Sequence, residues 1–340
     1  MPTLEKIEMN RMKAIQVEKF GGPKQLRLTE VPIPEPRPGE VLVRLTYAGV
    51  NYIDVYMRDG SYARSHTYKT PLPMTLGMEG AGHVAQLGEG VGDLEVGDPV
   101  AYCLSRGSYA EYAVVPAWKL VPIPAGVDLT VATTLMLQGS TAHYLSRSAF
   151  PLGNGDTCLV HAGAGGVGQL LIQLAKRSRA TVIATVGTEE KAQLARELGA
   201  DHVILYRKTD FAQEVLRLTG GKGVNVVYDS VGRDTLSRSI RSLKRRGVCI
   251  SFGASSGQPE PVPLLDLAEA GSVFLTRPHL ADYMSSAEEI RARAAELFAA
   301  HRDGSLKVAI DKVFPLSDAA MAHETIEGRK TRGKLLLKIT

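Results

Sequence analysis

The sequence has few of the features that mark secreted or membrane proteins. It contains 3 cysteines in 340 residues, and Cys103, Cys158 and Cys249 lie far apart. Scattered cysteines form neither a disulfide framework nor a C-x-x-C metal motif. No apolar stretch reaches the ~20 residues that a transmembrane helix needs. The first residues include Glu5 and Glu8 and lack the apolar region of a signal peptide. We therefore expect a soluble, cytoplasmic protein with no membrane association.

Charge of one sign is not concentrated either. The chain has 40 Lys and Arg against 36 Asp and Glu, which gives a net charge of +4. The basic triplet Lys244-Arg245-Arg246 is interpreted as the solvated C-terminus of a helix, where cations complement the helix dipole. The sequence lacks the basic stripe with interleaved aromatic residues that is typical of nucleic-acid-binding proteins. We therefore expect no nucleic-acid partner.

A glycine-rich turn lies between a predicted strand and a predicted helix. The apolar run 158–160 predicts a buried strand, and Gly163, Gly165 and Gly168 follow in a G-x-G-x-x-G pattern. Apolar residues three and four apart then predict an amphipathic helix up to Arg177. Such a loop lets the backbone approach a pyrophosphate, whose charge the N–H groups at the helix start receive. The order of these elements therefore favours a dinucleotide site.

Strands and helices continue to alternate after this motif. Further strands are predicted at 181–186, 202–206, 224–229, 248–252 and 273–276, with helices at 189–198, 210–218 and 235–243. Strands connected through helices form a parallel sheet that is covered on both faces. We therefore predict a Rossmann domain, a doubly wound parallel sheet, over residues 139–276.

The end of the second strand of this sheet distinguishes between the two nicotinamide cofactors. A site for NAD usually places Asp or Glu there to bind the ribose 2′-hydroxyl. This chain has Val186 and Gly187, followed by Thr188. A small residue leaves room for a 2′-phosphate, and Lys191 could supply a charge-assisted hydrogen bond to it. We predict NADPH; in the alternative interpretation, Glu189 binds the ribose and Lys191 is solvated.

The residues before the glycine motif predict a mostly β domain. Its short strands, separated by turns rich in Gly and Pro, are predicted at 12–17, 26–31, 41–47, 80–87, 99–104 and 109–115. The residues before Met12 are interpreted as a loose extension, and residues 51–59 as a short helix.

The end of the chain is predicted to return to this first domain. Helices at 287–302 and 318–327 precede a last strand, 334–339, which has no local partner and is best placed in the first sheet. We therefore predict a discontinuous first domain, 1–138 and 277–340, into which the Rossmann domain is inserted. A cleft between two such domains is a usual place for a nicotinamide ring.

Several segments resemble the medium-chain dehydrogenase/reductase superfamily, namely 47–54, 77–82, 96–100 and 107–112. Residues 227–232, 251–257 and 275–278 are similar to the zinc-free, NADPH-dependent quinone oxidoreductases of that superfamily. The resemblance extends over nearly the whole chain from about Met12. It implies an α/β protein with a GroES-like, mostly β catalytic domain and an inserted Rossmann domain. It also implies a homodimer through the edge strand of the Rossmann sheet, because an unpaired edge invites pairing with a second copy.

The resemblance bears on the metal as well. Zinc-binding members of the superfamily carry Cys near the position of Asn51 and His at the position of Met78. An amide and a thioether are poor ligands for Zn²⁺, and the 8 histidines show no H-x-x-H or H-x₃-H pairing. We therefore predict no metal site. A quinone suits such a site, because it is already a strong hydride acceptor and needs mainly to be positioned.

Tyr56 and Asn51 are the predicted catalytic residues, since they lie where the superfamily's metal ligands and their neighbours sit. The quinone oxygen that becomes negative needs a hydrogen-bond donor. Tyr56 would bond this oxygen or relay a proton; the alternative is that it only forms an aromatic wall. Asn51 would orient the nicotinamide or the substrate.

The resemblance further implies which residues contact the cofactor. At the pyrophosphate and the adenosine phosphate these are Gly165, Gly166, Val167, Gly187, Thr188, Lys191 and Tyr206. At the nicotinamide half they are Thr141, Ser230, Phe252, Gly253, Ser255, Arg277 and Arg329. Both arginines could instead belong to an interdomain salt bridge. Lys334 could reach a phosphate or face solvent.

The sequence thus predicts an NADPH:quinone oxidoreductase that reduces small quinones by hydride transfer without a metal. Two alternatives remain open. An enzyme of the same fold could reduce the C=C bond of α,β-unsaturated carbonyls, which needs the same hydride geometry and one oxyanion donor. The chain could also be a non-enzymatic NADPH-binding protein with an RNA-binding or crystallin-like role.

Overall fold

In the described part of the chain, sixteen strands and ten α-helices, numbered in chain order, form two units. The computed structural model describes residues 11–340, so the extension predicted before Met12 lies, apart from Arg11, outside the described residues. The strands are β1 (Arg11–Val17), β2 (Arg27–Pro32), β3 (Glu40–Val50), β4 (Met74–Thr75), β5 (Glu79–Leu87), β6 (Pro99–Cys103), β7 (Tyr112–Pro116), β8 (Val121–Pro122), β9 (Thr157–Val160), β10 (Thr181–Val186), β11 (His202–Leu205), β12 (Val224–Asp229), β13 (Leu243–Ser251), β14 (Phe274–Thr276), β15 (Ile310–Pro315) and β16 (Lys334–Lys338). The helices are α1 (Tyr52–Arg58), α2 (Leu129–Thr134), α3 (Ser140–Tyr144), α4 (Gly166–Arg177), α5 (Glu189–Glu197), α6 (Phe211–Leu218), α7 (Leu236–Arg241), α8 (Leu264–Glu269), α9 (Ala287–Arg302) and α10 (Ala319–Glu327).

The first unit comprises residues 11–137, Met284–Arg302 and Val308–Thr340, and the second comprises Gln138–Tyr283 and Asp303–Lys307. The functional domains predicted at 1–138 with 277–340 and at 139–276 stay a prediction.

The second unit contains a parallel sheet of 6 strands in the order β11-β10-β9-β12-β13-β14. Each strand pairs in parallel with its neighbour. Apolar side chains such as Leu159, Ile183, Val227 and Cys249 are buried on the sheet, because helices cover it. The predicted Rossmann fold is confirmed, and its carboxyl-terminal strand ends lie at one edge, where nucleotides bind in such sheets.

The first unit is built around β3. This strand pairs antiparallel with β5, β7 and β16, within a sheet of 7 strands. A core of Val41, Val43, Leu45, Val84 and Tyr102 is packed on one of its faces. The last strand returns to this sheet, as predicted. The expectation that it has no local partner is wrong, because β16 also pairs in parallel with β15.

Other differences from the sequence prediction have local causes. The prediction that Lys244-Arg245-Arg246 ends a helix is wrong. Helix α7 ends at Arg241, and the triplet lies in β13, which begins at Leu243, where it pairs with Val224 of β12. A register shift in β12 and a left-handed Arg246 (φ 58°) accommodate the triplet there. The helix α2 gave no amphipathic signal, because its residues from Val131 to Thr134 are all buried.

Candidate active site and nucleotide site

The glycine loop between β9 and α4 is closed by backbone hydrogen bonds. Gly163 N donates to Thr185 O over 3.0 Å, and Gly165 N donates to Ala162 O over 2.8 Å. A side chain at Gly168 would overlap Ala162 O, so this glycine is required by the tight turn itself. The first intrahelical bond of α4 runs from Gln169 N to Gly165 O. The N–H groups that precede it have no carbonyl partner in the helix, which makes this helix start suitable for an anion.

The predicted adenosine-phosphate residues lie together at the ends of β10 and β11. A Cβ built on Gly187 would lie 3.0 Å from Tyr206 Oη and 3.4 Å from Arg207 Nε. Thr188 is the N-cap of α5 and accepts a hydrogen bond from Lys191 N over 3.3 Å. The structure therefore brings Gly187 and Tyr206 together, next to the start of the helix that carries Lys191.

Two features near this group bear on the choice of cofactor. The Glu189 carboxylate, which was the alternative ribose ligand, pairs with Arg196 Nη1 at 3.0 Å on the outer face of α5. Arg207 is not among the residues predicted from the sequence, and its exposed guanidinium adds a second cation beside Gly187. Its position directly after strand β11 was an available signal, since an Arg near the second strand of the sheet accommodates a 2′-phosphate.

The loops after β12 and β13 bring together four of the residues predicted at the nicotinamide half, namely Ser230, Phe252, Gly253 and Ser255. Ser255 N donates to Ser230 O over 3.1 Å, and a Cβ on Gly253 would approach the same oxygen to 2.7 Å. Phe252 N donates to Asp229 O over 2.9 Å. Arg277 fixes the end of the neighbouring strand, because its Nη1 donates to Ser251 O over 2.9 Å.

Gln138 lies beside the glycine loop, and the helix α3 that follows it contacts α4. Thr141 is buried in α3, in the same unit. Gln138, which the sequence analysis passed over, lies so close to Gly166 that a Cβ there would overlap its carboxamide. The Gln138 side chain therefore leaves no room for a side chain at position 166.

In the first unit, Asn51 is held by a buried ion pair. Its side-chain Nδ2 donates to Glu79 Oε2 over 2.9 Å, and its Oδ1 accepts from Lys334 Nζ over 2.8 Å. Lys334 Nζ also lies 2.5 Å from Glu79 Oε2, and both charged side chains are 0% exposed. The other carboxylate oxygen, Oε1, accepts from Leu137 N over 2.6 Å. The carboxamide therefore has one fixed orientation.

This arrangement corrects the expectation for Lys334, which neither faces solvent nor is placed to reach a phosphate. Burial raises the pKa of Glu79 above its ordinary value, and the Lys334 ammonium acts in the opposite direction. Its partner Asn51 is the N-cap of α1 and only 3% exposed. No sequence pattern marks this pair, because the two charged residues are 255 positions apart.

A second chain of buried hydrogen bonds supports the start of α1. Arg58 Nη1 lies 3.1 Å from His323 Nδ1, and His323 Nε2 lies 3.1 Å from Tyr109 Oη. A guanidinium can only donate, so His323 Nδ1 accepts and its proton lies on Nε2. Tyr109 Oη then accepts from His323 and donates to Asp54 Oδ2 over 3.2 Å. All donors in this chain therefore point towards the Asp54 carboxyl.

The pKa values of the two titrating groups in this chain agree with its direction. Burial, helped by the Arg58 charge, lowers the pKa of His323 to about 3, so the ring is neutral. Burial raises the pKa of Asp54 to about 7, against the hydrogen bond from Asn51 N to its Oδ2. Its Oδ1 has no hydrogen-bond partner among residues 11–340. Arg58 is neutralised by Glu327, whose oxygens lie 3.0 and 2.7 Å from its two terminal nitrogens.

Tyr56 lies on α1 in a row of aromatic rings. Its ring centroid is 5.9 Å from that of Tyr52 and 5.3 Å from that of Tyr62, and Tyr62 stacks on Tyr68 at 5.4 Å. Tyr52 Oη donates to Ile326 O over 3.1 Å, which ties the row to α10. Arg329 follows α10, and its charge opposes the rise that burial produces in the pKa of Tyr52. Tyr56 and Asn51 therefore belong to one structural element.

Among residues 11–340, no three His, Cys, Asp or Glu side chains are grouped so that they could hold a metal ion. None of the helices in the described range is long and apolar enough to cross a membrane.

Comparisons with known proteins give one consistent result. Residues 37–125 match the profile of the alcohol dehydrogenase GroES-like domain, and residues 166–300 match that of the zinc-binding dehydrogenases. The chain is 43% identical to the 2-haloacrylate reductase of a Burkholderia species, over 95% of this chain and 98% of that protein. It is 42% identical to the quinone oxidoreductase of Pseudomonas aeruginosa, over 96% and 99%. The crystal structure of Escherichia coli quinone oxidoreductase complexed with NADPH has a TM-score of 0.92 and 40% identity, and covers 96% of this chain and 100% of that one.

The raised pKa of Asp54 gives a prediction for stability against pH. The unfolded chain loses the Asp54 proton near the ordinary value of 3.8, whereas the native state keeps it up to about pH 7. The contribution of this carboxyl to the free energy of unfolding is thus present below about pH 4, and falls by about 1.4 kcal/mol per pH unit from there to pH 7. Asp54→Asn removes it, so the unfolding free energy of the variant minus that of the wild type should rise over this range in urea titrations.

The titration of His323 is common to both proteins and cancels in this difference. Tyr109→Phe is the control, since it removes a hydrogen bond but keeps the carboxyl, and it should retain the wild-type dependence on pH. A difference between Asp54→Asn and the wild type that stays constant from pH 4 to 7 would contradict the prediction.

Proposed function

The chain belongs to the quinone oxidoreductase family of the medium-chain dehydrogenase/reductase superfamily, and we propose that it reduces small quinones with NADPH without a metal. The full-length similarity supports this activity, since the relatives at 40–42% identity include several quinone oxidoreductases.

The state of Asn51 is the observation that carries the metal-free part of the proposal. An amide is a weak zinc ligand, and this one already accepts a hydrogen bond from the Lys334 ammonium, which is itself paired with Glu79. A cation in this position repels a second cation. Without a Lewis acid, the substrate must be a reactive hydride acceptor, and a quinone is one because its product gains aromaticity.

The residues of the second unit fit NADPH. Gly187 leaves an open position flanked by Tyr206 Oη and Arg207 Nε, which suits a 2′-phosphate and not a ribose-binding carboxylate. The start of α4 offers N–H groups to the pyrophosphate, and Lys191 lies one turn into α5. When bound, NADPH supplies the hydride. We place Thr141, Ser230, Phe252, Gly253, Ser255, Arg277 and Arg329 around the rest of the cofactor.

In this proposal, side chains on α1 and at its start bind the acceptor. We propose that Tyr56 Oη donates a hydrogen bond to the quinone oxygen on which negative charge develops, where a donor stabilises the transition state most. Asn51 orients the reactants from a fixed position, because both ends of its carboxamide are held. Tyr52 and Tyr62 flank the Tyr56 ring and limit its movement.

A second candidate activity is the reduction of the C=C bond of α,β-unsaturated carbonyl compounds. It is favoured by the 43% identity to a 2-haloacrylate reductase over almost the full length of both proteins. The reaction needs the same hydride donor and one hydrogen bond to a developing enolate oxygen. Both activities therefore use the same residues.

The first test is the oxidation of NADPH, measured by its absorbance, with 1,4-benzoquinone, 1,4-naphthoquinone, a 2-alkenal and 2-chloroacrylate. We expect kcat/KM for the quinones to exceed that for the other acceptors by at least about tenfold, which corresponds to about 1.4 kcal/mol of transition-state stabilisation. The reverse order would favour the second candidate. NADPH binding without oxidation of the cofactor by any acceptor would favour the non-enzymatic alternative.

Tyr56→Phe tests the proposed donor. Loss of one oxyanion donor should lower kcat for benzoquinone by about tenfold to a hundredfold, while the Kd for NADPH stays the same. Tyr52→Phe is the matched control: it lies on the same helix, but its hydroxyl donates to Ile326 O, so it should lower stability by about 1 kcal/mol and leave kcat unchanged. An unchanged kcat in Tyr56→Phe would leave Tyr56 only as part of the aromatic wall.

We also propose that two copies pair through β14. This strand ends the order of the six-stranded sheet, so one of its edges presents unpaired backbone groups. Large apolar side chains are exposed beside it, namely Phe274 at 60%, Leu264 at 83% and Leu265 at 67%. A twofold axis beside β14 would join two such edges and cover these side chains.

Sedimentation of the purified protein tests this pairing. We expect twice the mass of the 36.6 kDa chain, and a shift towards the monomer for Phe274→Glu, which places a charge at the paired edge. Val96→Glu is the matched control, since Val96 is exposed to 67%, against 60% for Phe274, and lies on a turn of the first unit; this variant should remain a dimer. A monomeric wild type, or dissociation of both variants alike, would contradict the proposal.

We further propose that the protein acts in the cytoplasm. Its three cysteines are buried free thiols, and burial raises the pKa of Cys158 to about 12, which keeps this thiol unreactive.

A further inference from the structure

His161 lies directly before the glycine loop, and both of its ring nitrogens are engaged. It is 2% exposed, and its Nδ1 lies 2.8 Å from Thr185 Oγ1 at the end of β10. Its Nε2 lies 3.0 Å from Ser239 Oγ on α7. The backbone of the same residue is fixed as well, because His161 N donates to Tyr228 O on β12 over 3.1 Å.

The direction of these hydrogen bonds is set by Asp229 at the end of β12. Asp229 Oδ1 accepts from Val231 N, Gly232 N and Thr235 Oγ1, and Oδ2 accepts from Ser239 Oγ over 2.7 Å. Because the Ser239 hydroxyl donates its only proton to the Asp229 carboxylate, Ser239 Oγ must accept from His161 Nε2–H. Burial lowers the pKa of His161, so the ring is neutral; Nδ1 then carries no proton and accepts from Thr185 Oγ1–H. The chain has only this one arrangement of protons.

The hydrogen bonds of His161 stabilise the backbone of the next residue, Ala162. Ala162 has a left-handed backbone, with φ at 52°, which costs a non-glycine residue about 1–2 kcal/mol. Its carbonyl oxygen accepts from Gly165 N, and the turn of Gly168 closes against it. A strained conformation persists only where its surroundings determine it. The fixed imidazole on one side and the bond from Gly163 N to Thr185 O on the other provide this.

We propose that His161 is a positioning residue for cofactor binding: through Thr185 and Ser239 it presets the loop whose N–H groups receive the pyrophosphate. The network joins the ends of β9, β10 and β12, the three neighbouring strands at the edge where nucleotides bind. It does not touch the ligand. The loop is therefore already ordered before the pyrophosphate binds, so binding loses no conformational entropy of the loop.

Two conservative variants test this in the full-length protein. Ser239→Ala and Thr185→Val each remove one hydrogen-bond partner of the imidazole and leave a side chain of similar size. We expect the Kd for NADPH, measured by NADPH fluorescence, to rise about tenfold in each. Ser242→Ala is the matched control: it is an equally buried serine three residues after Ser239, and its hydroxyl donates to Arg238 O. It should leave the Kd unchanged.

A fragment of the cofactor separates this role from a general loss of stability. 2′-AMP carries the adenosine and the 2′-phosphate but no pyrophosphate, so its Kd should stay within about twofold in Ser239→Ala and Thr185→Val. Lys191→Ala should show the opposite pattern and weaken 2′-AMP, because it acts at the adenosine phosphate. Thermal unfolding of each unliganded variant shows whether the second unit is intact.

A further measurement uses the wild-type protein and does not depend on whether a variant folds. The ¹⁵N spectrum of its histidines should show His161 as the neutral tautomer with the proton on Nε2. A proton on Nδ1 would overturn the proposal. So would an unchanged Kd for NADPH in both folded variants, or an equal loss for NADPH and 2′-AMP. Each of these measurements concerns cofactor binding alone and is independent of which acceptor is reduced.

Discussion

A fully buried ion pair, Glu79 with Lys334, is the interaction on which the first unit depends. Removing two charges from water costs several kcal/mol for each ion, and their attraction offsets this only when the other polar atoms are also bonded. Here they are, since Glu79 accepts from Asn51 and Leu137, and Lys334 donates to both Asn51 and Glu79. The backbone is adapted to the pair: a side chain on Gly49 would overlap the carboxylate. The pair fixes Asn51, and Asn51 begins the helix that carries Tyr56.

Both units contain a chain of buried hydrogen bonds that ends at an Asp carboxyl group. In the first, Arg58, His323 and Tyr109 direct their protons towards Asp54 at the start of α1. In the second, Thr185, His161 and Ser239 direct theirs towards Asp229 beneath the glycine loop. In the first network the Arg58 guanidinium can only donate, and in the second the Asp229 carboxylate accepts from four donors. Each of these groups therefore allows only one tautomer of the histidine in its network. Buried polar networks of this kind favour one geometry, although Asp54 Oδ1 has no hydrogen-bond partner among residues 11–340.

The sequence predicted the Rossmann fold well, because its signals are local. Glycine spacing, short apolar runs and helical periodicity all lie within the segments that they describe, and the predicted strand at 224–229 has the observed bounds of β12. β15 was missed because only Phe314 among its six residues is buried, so it shows no alternation. The buried networks were missed for a different reason. Their members are far apart in the chain, as Arg58 and His323 are, and neither residue type nor spacing marks them beforehand.

The position of β16 also has a consequence for synthesis of the chain. The second unit consists of residues up to Tyr283 and the segment Asp303–Lys307, so most of it can fold while the ribosome is still adding residues. Glu79 and Asn51 leave the ribosome early, but Lys334, which neutralises Glu79 and donates to Asn51, follows 255 residues after Glu79. Until that strand is added, the carboxylate must remain hydrated, and the strands around it cannot close. The strands around Asn51 and Glu79 can therefore close only after β16 has been synthesised.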